Sequence, residues 1–427
     1  MSRRAFEDHR ARLLEFFKNA VSAVSAENAM PRQLPHAAHG RTRLIAVGKA
    51  AAAMTRIALD RIDGPVDGLL VTRYGHLEAA HRLPDTIEVI EAGHPVPDDE
   101  SVRAALRALN LAGELGAKDH LLVLLSGGGS ALLAAPVEGI TLADKQNITR
   151  SLLLSGATIS EINCVRKHLS KVKGGRLAAA AGPAHVTTFI VSDVPGDDPS
   201  FVSSGPTVPD MTTLEMAREI IRRYGIAASP AVAAALSDAA NETPPVDTLG
   251  LAGSETVVIA RARDALGSAA KLAAGMGYEV TNLGDHLQSE ARYLGAGHAA
   301  LARRLKSNEA PRAIISGGEA TVAVANKGGR GGRNLEYLLG MAIALDGAPG
   351  IYALACDTDG LDGTEDNAGA YVLPDSLARA RALGLDPQAY LERNDSYRFF
   401  EALGDLIITG PTLTNVNDFR VILTDGN

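Results

Sequence analysis

Short runs dominated by apolar residues recur through the first half of the chain, at 43–47, 68–73, 86–92, 120–125 and 185–192. Between them lie stretches of helical period at 101–115, 142–154 and 159–181. Apolar runs without alternation read as strands buried on both faces, and right-handed crossovers through the helices make their sheet parallel. The second half continues the theme, with a helix over 261–277, a strand at 278–283, a helix over 290–306, a strand at 314–316, a helix from Arg333 and a strand at 351–356. Final strands fall near 406–409 and 419–423. The polar segment 237–249, which contains Asn241-Glu242-Thr243-Pro244-Pro245-Val246-Asp247, is punctuated by proline and reads as a linker. The pattern therefore predicts an α/β protein of two domains, 1–245 and 246–427.

Chemistry gathers where the predicted strands end. The run Leu121-Leu122-Val123-Leu124-Leu125 stops at Ser126-Gly127-Gly128-Gly129-Ser130. Glycines allow backbone N–H groups to turn toward an anion, and a following helix adds its positive end. A second apolar run ends similarly at Ser316-Gly317-Gly318-Glu319. Lys49 follows the first strand and a glycine, which suits a compact positive charge aimed into a cleft. The turn Ser192-Asp193-Val194-Pro195-Gly196-Asp197-Asp198 carries three carboxylates, suited to magnesium or to accepting a proton from a hydroxyl. Such a turn also forms for its own hydrogen bonds alone.

In the second half, Lys327-Gly328-Gly329-Arg330-Gly331-Gly332-Arg333-Asn334 sets two arginine forks among four glycines, a composition suited to phosphoryl oxygens. Cys356-Asp357-Thr358-Asp359-Gly360 ends a strand in carboxylates, but Leu361 occupies a position where an EF-hand needs a ligand. The loop 409–418 is rich in hydroxyls and amides, and His94 follows another strand. No G-x-x-x-x-G-K-[ST] loop, no strand-linked G-x-G-x-x-G fingerprint, no HExxH and no paired CxxC occurs.

Composition narrows the class. The 427 residues are 46% hydrophobic and only 4% aromatic, with no Trp and 43 glycines, which favours helices packed closely on strands over an all-β sandwich. A net charge of −8 argues against a general nucleic-acid binder and leaves small-molecule partners. The two cysteines, Cys164 and Cys356, cannot build a disulfide framework or thiolate metal cluster. With no apolar run of ~20 residues and no signal-peptide core, the expected setting is the cytoplasm, without a membrane partner. The sequence leaves homo-oligomerisation open.

Taken in order, Val47-Gly48-Lys49, Gly93-His94-Pro95, 126–132, the segment from Val165 through Lys173-Gly174-Gly175 to Ala178, 192–197, 328–334, 357–360 and 409–417 resemble the class II glycerate 2-kinases with a carboxyl-terminal MOFRL-type domain. The resemblance spans nearly the whole chain. It implies a Rossmann-like kinase domain over 1–245, a MOFRL-type α/β domain with a mixed sheet over 246–427, and an active site in the interdomain cleft. The implied reaction phosphorylates D-glycerate at the 2-hydroxyl with ATP and Mg²⁺, giving 2-phosphoglycerate and ADP. Lys49 and Arg333 take the positions that the family marks as catalytic, and Asp193 is the candidate base. Ser126, Gly127, Gly128, Gly129, Ser130, Gly317, Gly318 and Lys173 are the candidate nucleotide-binding residues, with Asp193, Asp197 and Asp357 as metal ligands. Leu335 and Ala320 stand where relatives often carry Gln and Thr, which bears on substrate preference. The alternative activity is that of a hydroxypyruvate reductase using NAD(P)H, a label attached to relatives. It would need a nicotinamide site, and the dinucleotide fingerprint is missing.

Overall fold

The computed structural model describes residues 3–76, 83–306, 310–326 and 328–426. They divide into two compact units, one made of 29–259 and the other of 1–28 together with 260–427.

The first unit is built on a sheet of six strands: β1 (Thr42–Val47), β2 (Val66–Arg73), β3 (Ile87–Ala92), β4 (His120–Leu125), β5 (His185–Val191) and β6 (Glu255–Ala260), in the order β3-β2-β1-β4-β5-β6. The pairs β2–β3, β1–β2, β1–β4 and β4–β5 are parallel. Every residue of β1 and β4 is buried, which is why these strands show no polar alternation in the sequence. Strand order reverses between β1 and β4. In a parallel sheet the loops leaving the two strands at such a point diverge to opposite faces and leave a crevice.

A second apolar cluster in this unit is helical. Helices Leu142–Leu154, Ile159–His168, Leu214–Arg223 and Pro230–Ser237 bury Ile148, Leu152, Ile162, Val165, Ile220, Val232 and Leu236 against one another. Capping boxes start three of the unit's helices, with Asp98, Thr141 and Thr158 each paired to the residue three positions on. The single helix expected over 159–181 is broken: it stops at His168 and resumes only over Arg176–Ala180. Between them Gly174 and Gly175 adopt φ of +60° and +81°, with their amides donating to Ser204 and Gly205.

The second unit holds a mixed sheet of β7 (Glu279–Asn282), β8 (Arg312–Ser316), β9 (Ile351–Asp357), β10 (Gly369–Val372), β11 (Leu406–Ile407) and β12 (Asp418–Thr424), ordered β11-β10-β9-β12-β8-β7. Only β7–β8 is parallel among its pairs. Helix Arg333–Leu345 is buried on almost every side, Leu335, Tyr337, Leu338, Leu339 and Met341 all having no measurable exposure. The helices at Ser376–Ala382, Pro387–Glu392 and Ser396–Leu403 were not anticipated, nor were β6 and β10.

The observed boundary differs from 245/246 at both ends of the chain. The polar segment 237–249 is not a free linker: Glu242 accepts from the Leu214 amide and meets His168, and Leu251 joins the core beneath the first sheet. Strand β6 then completes that sheet, so the division falls after Ile259. Helix Arg3–Ala23 packs on helix Ala262–Gly275 and strands β9 and β12, placing the chain's start in the second unit. Leu13, Phe16 and Phe17 are buried there, Arg12 donates to the Tyr278 hydroxyl, and Arg10 pairs with Asp405. Among the described residues no helix is long and apolar enough to cross a membrane.

Candidate active site

Each unit carries its own concentration of polar groups, and the first lies at the strand-order reversal. After β1 the chain turns at Gly48, whose φ is +124°. A Cβ there would fall 2.3 Å from Ser126 Oγ, so only glycine lets the two loops meet. The Lys49 amide donates to Gly127 O at 3.0 Å, and Ser126 Oγ accepts from the Ala50 amide at 3.0 Å. These bonds place half-buried Lys49 beside the Gly127-Gly128-Gly129 loop.

Gly128 has φ of +86°, and a Cβ on it would stand 3.0 Å from the ring of His94. The histidine thus forms a wall of the loop. The Gly127 and Gly128 amides take no protein acceptor among the described residues, whereas the Ser126 amide is spent on Val47 O. Two adjacent donors are therefore available for an anion.

Beneath the loop lies Lys173, fully buried, with Nζ donating to Ser130 O at 2.8 Å, Ser130 Oγ at 3.1 Å and Ser203 O at 3.3 Å. Burial pushes its pKa well below the ordinary lysine value, and Arg166 and Lys145 push in the same direction. Lys173 supports the loop from below through Ser130. Asp193 and Asp197 follow β5 in the expected turn, both half-buried, with Asp197 at φ of +56°.

The second unit gathers charge around Arg333, the first residue of its helix. Nε donates to Asp418 at 2.7 Å, Nη1 to Glu319 at 3.1 Å and Nη2 to Asp357 at 2.8 Å. Asp357 ends β9 and Asp418 begins β12, and the antiparallel register sets them opposite each other. Burial disfavours the Arg333 charge, but Asp418, Asp357 and Glu319 outweigh it and hold the guanidinium above its ordinary value. Asp418 also accepts from Asn334 Nδ2 at 2.8 Å and from buried Arg420. Asp362, fully buried, caps the helix from a distant loop by accepting from the amides of Asn334 at 3.0 Å and Leu335 at 2.9 Å. Burial lifts its pKa to about 6, against the pull of those two amides. A cavity of about 360 Å³ opens beside Arg333, lined among others by Ala320, Val322, Val324, Gly331, Gly332 and Ser396.

Several candidates stand differently from the sequence reading. Gly317 and Gly318 do turn sharply after β8, with Gly318 at φ of +102°. The neighbouring amides are nevertheless engaged internally: Gly317 donates to Gly284, Glu319 to Leu287 and Ala320 to Asp418. The Gly318 amide takes no acceptor among the described residues, and the Gly317 carbonyl accepts from Arg420. Arg330 is committed to Glu365 and lies over the Tyr397 ring, 4.3 Å from its centroid. Lys327 lies outside the described residues.

Of the proposed metal ligands, Asp357 accepts from Arg333 in the second unit, and Asp193 and Asp197 lie in the first. Among the described residues no group of three His, Cys, Asp or Glu side chains is placed to hold a metal ion. Both cysteines are buried free thiols, and burial lifts Cys164 to about 11.

Sequence reasoning missed Asp362, Asp418 and Arg166. Asp362 follows the Asp-rich run 356–360 by two residues, but its target helix begins nearly thirty residues earlier in the chain, beyond any local signal.

A family model described as a domain of unknown function, DUF4147, matches residues 12–237, and the MOFRL family model matches 312–418. An Agrobacterium vitis protein named "Putative hydroxypyruvate reductase" is 51% identical over 391 residues, covering 90% of this chain and 99% of its own. The D-glycerate 2-kinase of Thermotoga maritima is 40% identical over 413 residues, covering 96% of each. A crystal structure of glycerate kinase from Thermotoga maritima superposes with a TM-score of 0.88 at 40% identity, covering 98% of this chain and all of that one.

Proposed function

The chain belongs to the family of glycerate kinases that carry a MOFRL domain, and from that premise we propose that it transfers the γ-phosphoryl group of ATP to the 2-hydroxyl of D-glycerate. The products are 2-phosphoglycerate and ADP. The observation that carries the proposal is the pair of unspent amides at Gly127 and Gly128, set beside Lys49 where the strand order reverses.

Phosphoryl transfer asks little covalent help of a protein and much positioning and charge stabilisation. The Gly127 and Gly128 amides and Lys49 hold the transferring phosphoryl group. The 2-hydroxyl oxygen forms its bond to phosphorus as the bond to the bridging oxygen of ADP breaks, and the hydroxyl proton passes to Asp193. Arg333 keeps two of its five N–H groups beyond the three spent on carboxylates, enough to bind one further anion. Magnesium enters with the triphosphate as part of the substrate.

Replacing Lys49 by Ala tests this reading. ADP release with ATP and D-glycerate should fall ~10³-fold, with NMR placing the phosphate of the wild-type product on C2. Near wild-type turnover would refute the assignment. Hydroxypyruvate-dependent oxidation of NADH or NADPH, followed by absorbance, would favour the reductase label instead.

A further inference from the structure

Three cations lie close together in the first unit with no protein carboxylate to answer them. Lys145, 5% exposed, spends Nζ on the Leu169 carbonyl alone, at 3.0 Å. Lys173, with no exposure, meets only the neutral oxygens of Ser130 and Ser203. Arg166 donates one Nη2 bond to Ser130 Oγ, and its Nε and Nη1 take no partner among the described residues. No ion pair involves any of the three among the described residues. Burial lowers the pKa of each, and Arg166 lowers those of both lysines further. Elsewhere the protein does pair its enclosed cations: neighbouring Lys167 meets Asp210 at 3.1 Å, and Arg333 meets three carboxylates.

Gathering like charges with little water and no counter-ion is unfavourable, and a bound anion would supply the missing charge. Polar groups converge on the same place. Ser130 Oγ, which receives Arg166 and Lys173, lies 2.7 Å from Ser204 Oγ. Ser203 and Ser204 hold φ of +51° and +59°, a strained backbone that non-glycine residues adopt mainly where function demands it. Ser130 itself closes the loop whose glycine amides are unspent.

We infer that Arg166 binds the carboxylate of the 2-hydroxy acid acceptor, in a pocket whose uncompensated charge is shared with Lys145 and Lys173. The inference rests on the kinase reading and names the acceptor's half of that site. Two chemical points favour a carboxylate over a phosphate of the nucleotide. Nη2 keeps a second N–H beside the one given to Ser130, so a fork that pairs it with Nε or with Nη1 remains for two coplanar oxygens, the bidentate geometry of arginine with a carboxylate. In a 2-hydroxy acid the carboxylate is also bonded to the carbon that bears the attacking hydroxyl, so its site must adjoin the phosphoryl site, as Ser130 adjoins Gly127 and Gly128.

The experiment compares Arg166→Gln and Arg166→Lys with the wild type in the full chain. Calorimetry measures binding of D-glycerate and of its neutral amide, D-glyceramide, and steady-state kinetics gives KM for ATP. The wild type should prefer the acid by about 100-fold, and Arg166→Gln should reduce that preference to about threefold or less, with KM for ATP within about threefold of wild type. Arg166→Lys should fall between them, because it keeps the charge and loses the fork. The melting temperature of ligand-free Arg166→Gln should match or exceed that of the wild type, since a repulsive charge has been removed. Retained preference for the acid overturns the inference, whether KM for ATP is unchanged or raised; a raised value assigns the cluster to phosphate. Absence of ATP-dependent turnover in the wild type would refute the kinase reading, while the calorimetric comparison would still decide the carboxylate site.

Discussion

Asp418 is the residue on which the charge arrangement of the second unit turns. Its carboxylate is fully buried and accepts from Arg333 Nε, Asn334 Nδ2, the Ala320 amide and Arg420 Nη2. Asp418→Asn preserves volume, removes the negative charge and converts one acceptor into a donor that faces other donors. Arg420, 1% exposed, then keeps only the Gly317 carbonyl and the Tyr337 ring as partners. Breaking a buried ion pair from one side costs about 3–5 kcal/mol, because the remaining charge stays enclosed. That is a change of about 10²–10⁴ in the folding equilibrium. Urea unfolding followed by circular dichroism measures the loss, since the chain has no Trp for fluorescence. Hydrogen exchange should locate it in peptides from β8, β9 and β12. The double variant Asp418→Asn/Arg420→Met should recover part of the loss, as removal of both partners relieves the orphaned cation. A loss below about 1 kcal/mol in the single variant would refute this reasoning.

Two further outcomes follow from other positions. Gly128→Ala should lower stability by about 1–2 kcal/mol from the positive φ alone, and the contact with His94 should add to it; measured ATP turnover should fall as well, because the adjacent amides are displaced. Asp362, with a pKa of about 6 in the fold against an ordinary 3.8, binds a proton that the unfolded chain has released across that interval, so its contribution is full below pH ~4 and disappears as pH rises through ~6. Relative to Asp362→Asn, wild-type stability measured by urea titration should therefore fall by up to ~3 kcal/mol between pH 4 and 6, and a difference independent of pH would contradict the assignment.

The parallel sheet of the first unit was legible because β1 and β4 are buried on both faces and carry unbroken apolar runs, each ending in glycine or serine-glycine. The loops of the cradle followed from the same runs. What stayed hidden depends on contacts distant in sequence. Helix Arg3–Ala23 shows only an amphipathic pattern, and nothing in that pattern names β9 and β12 as its partners. The segment around Pro244-Pro245 has the composition of a linker, yet Glu242 and Leu251 fasten its two ends to the first unit. Strand β6 has only one fully buried residue, so its period was weak. Arg333 stood out by its glycine neighbours, but its three carboxylates come from a β8 loop, the end of β9 and the start of β12, which only the folded register brings together.

Because helix Arg3–Ala23 completes the core of the second unit, the first unit is in effect an insertion within a discontinuous one. Synthesis releases that helix first and β12 last, so Leu13, Phe16 and Phe17 wait through the whole first unit for Ala262–Gly275, and through nearly the entire polypeptide before β12 completes their cover. An expressed fragment beginning at the apparent mid-chain junction would carry an uncovered apolar face on Ala262–Gly275. Grafting 1–28 back through a short tether, or permuting the chain so that the old termini are joined, would supply the missing cover without lengthening that wait.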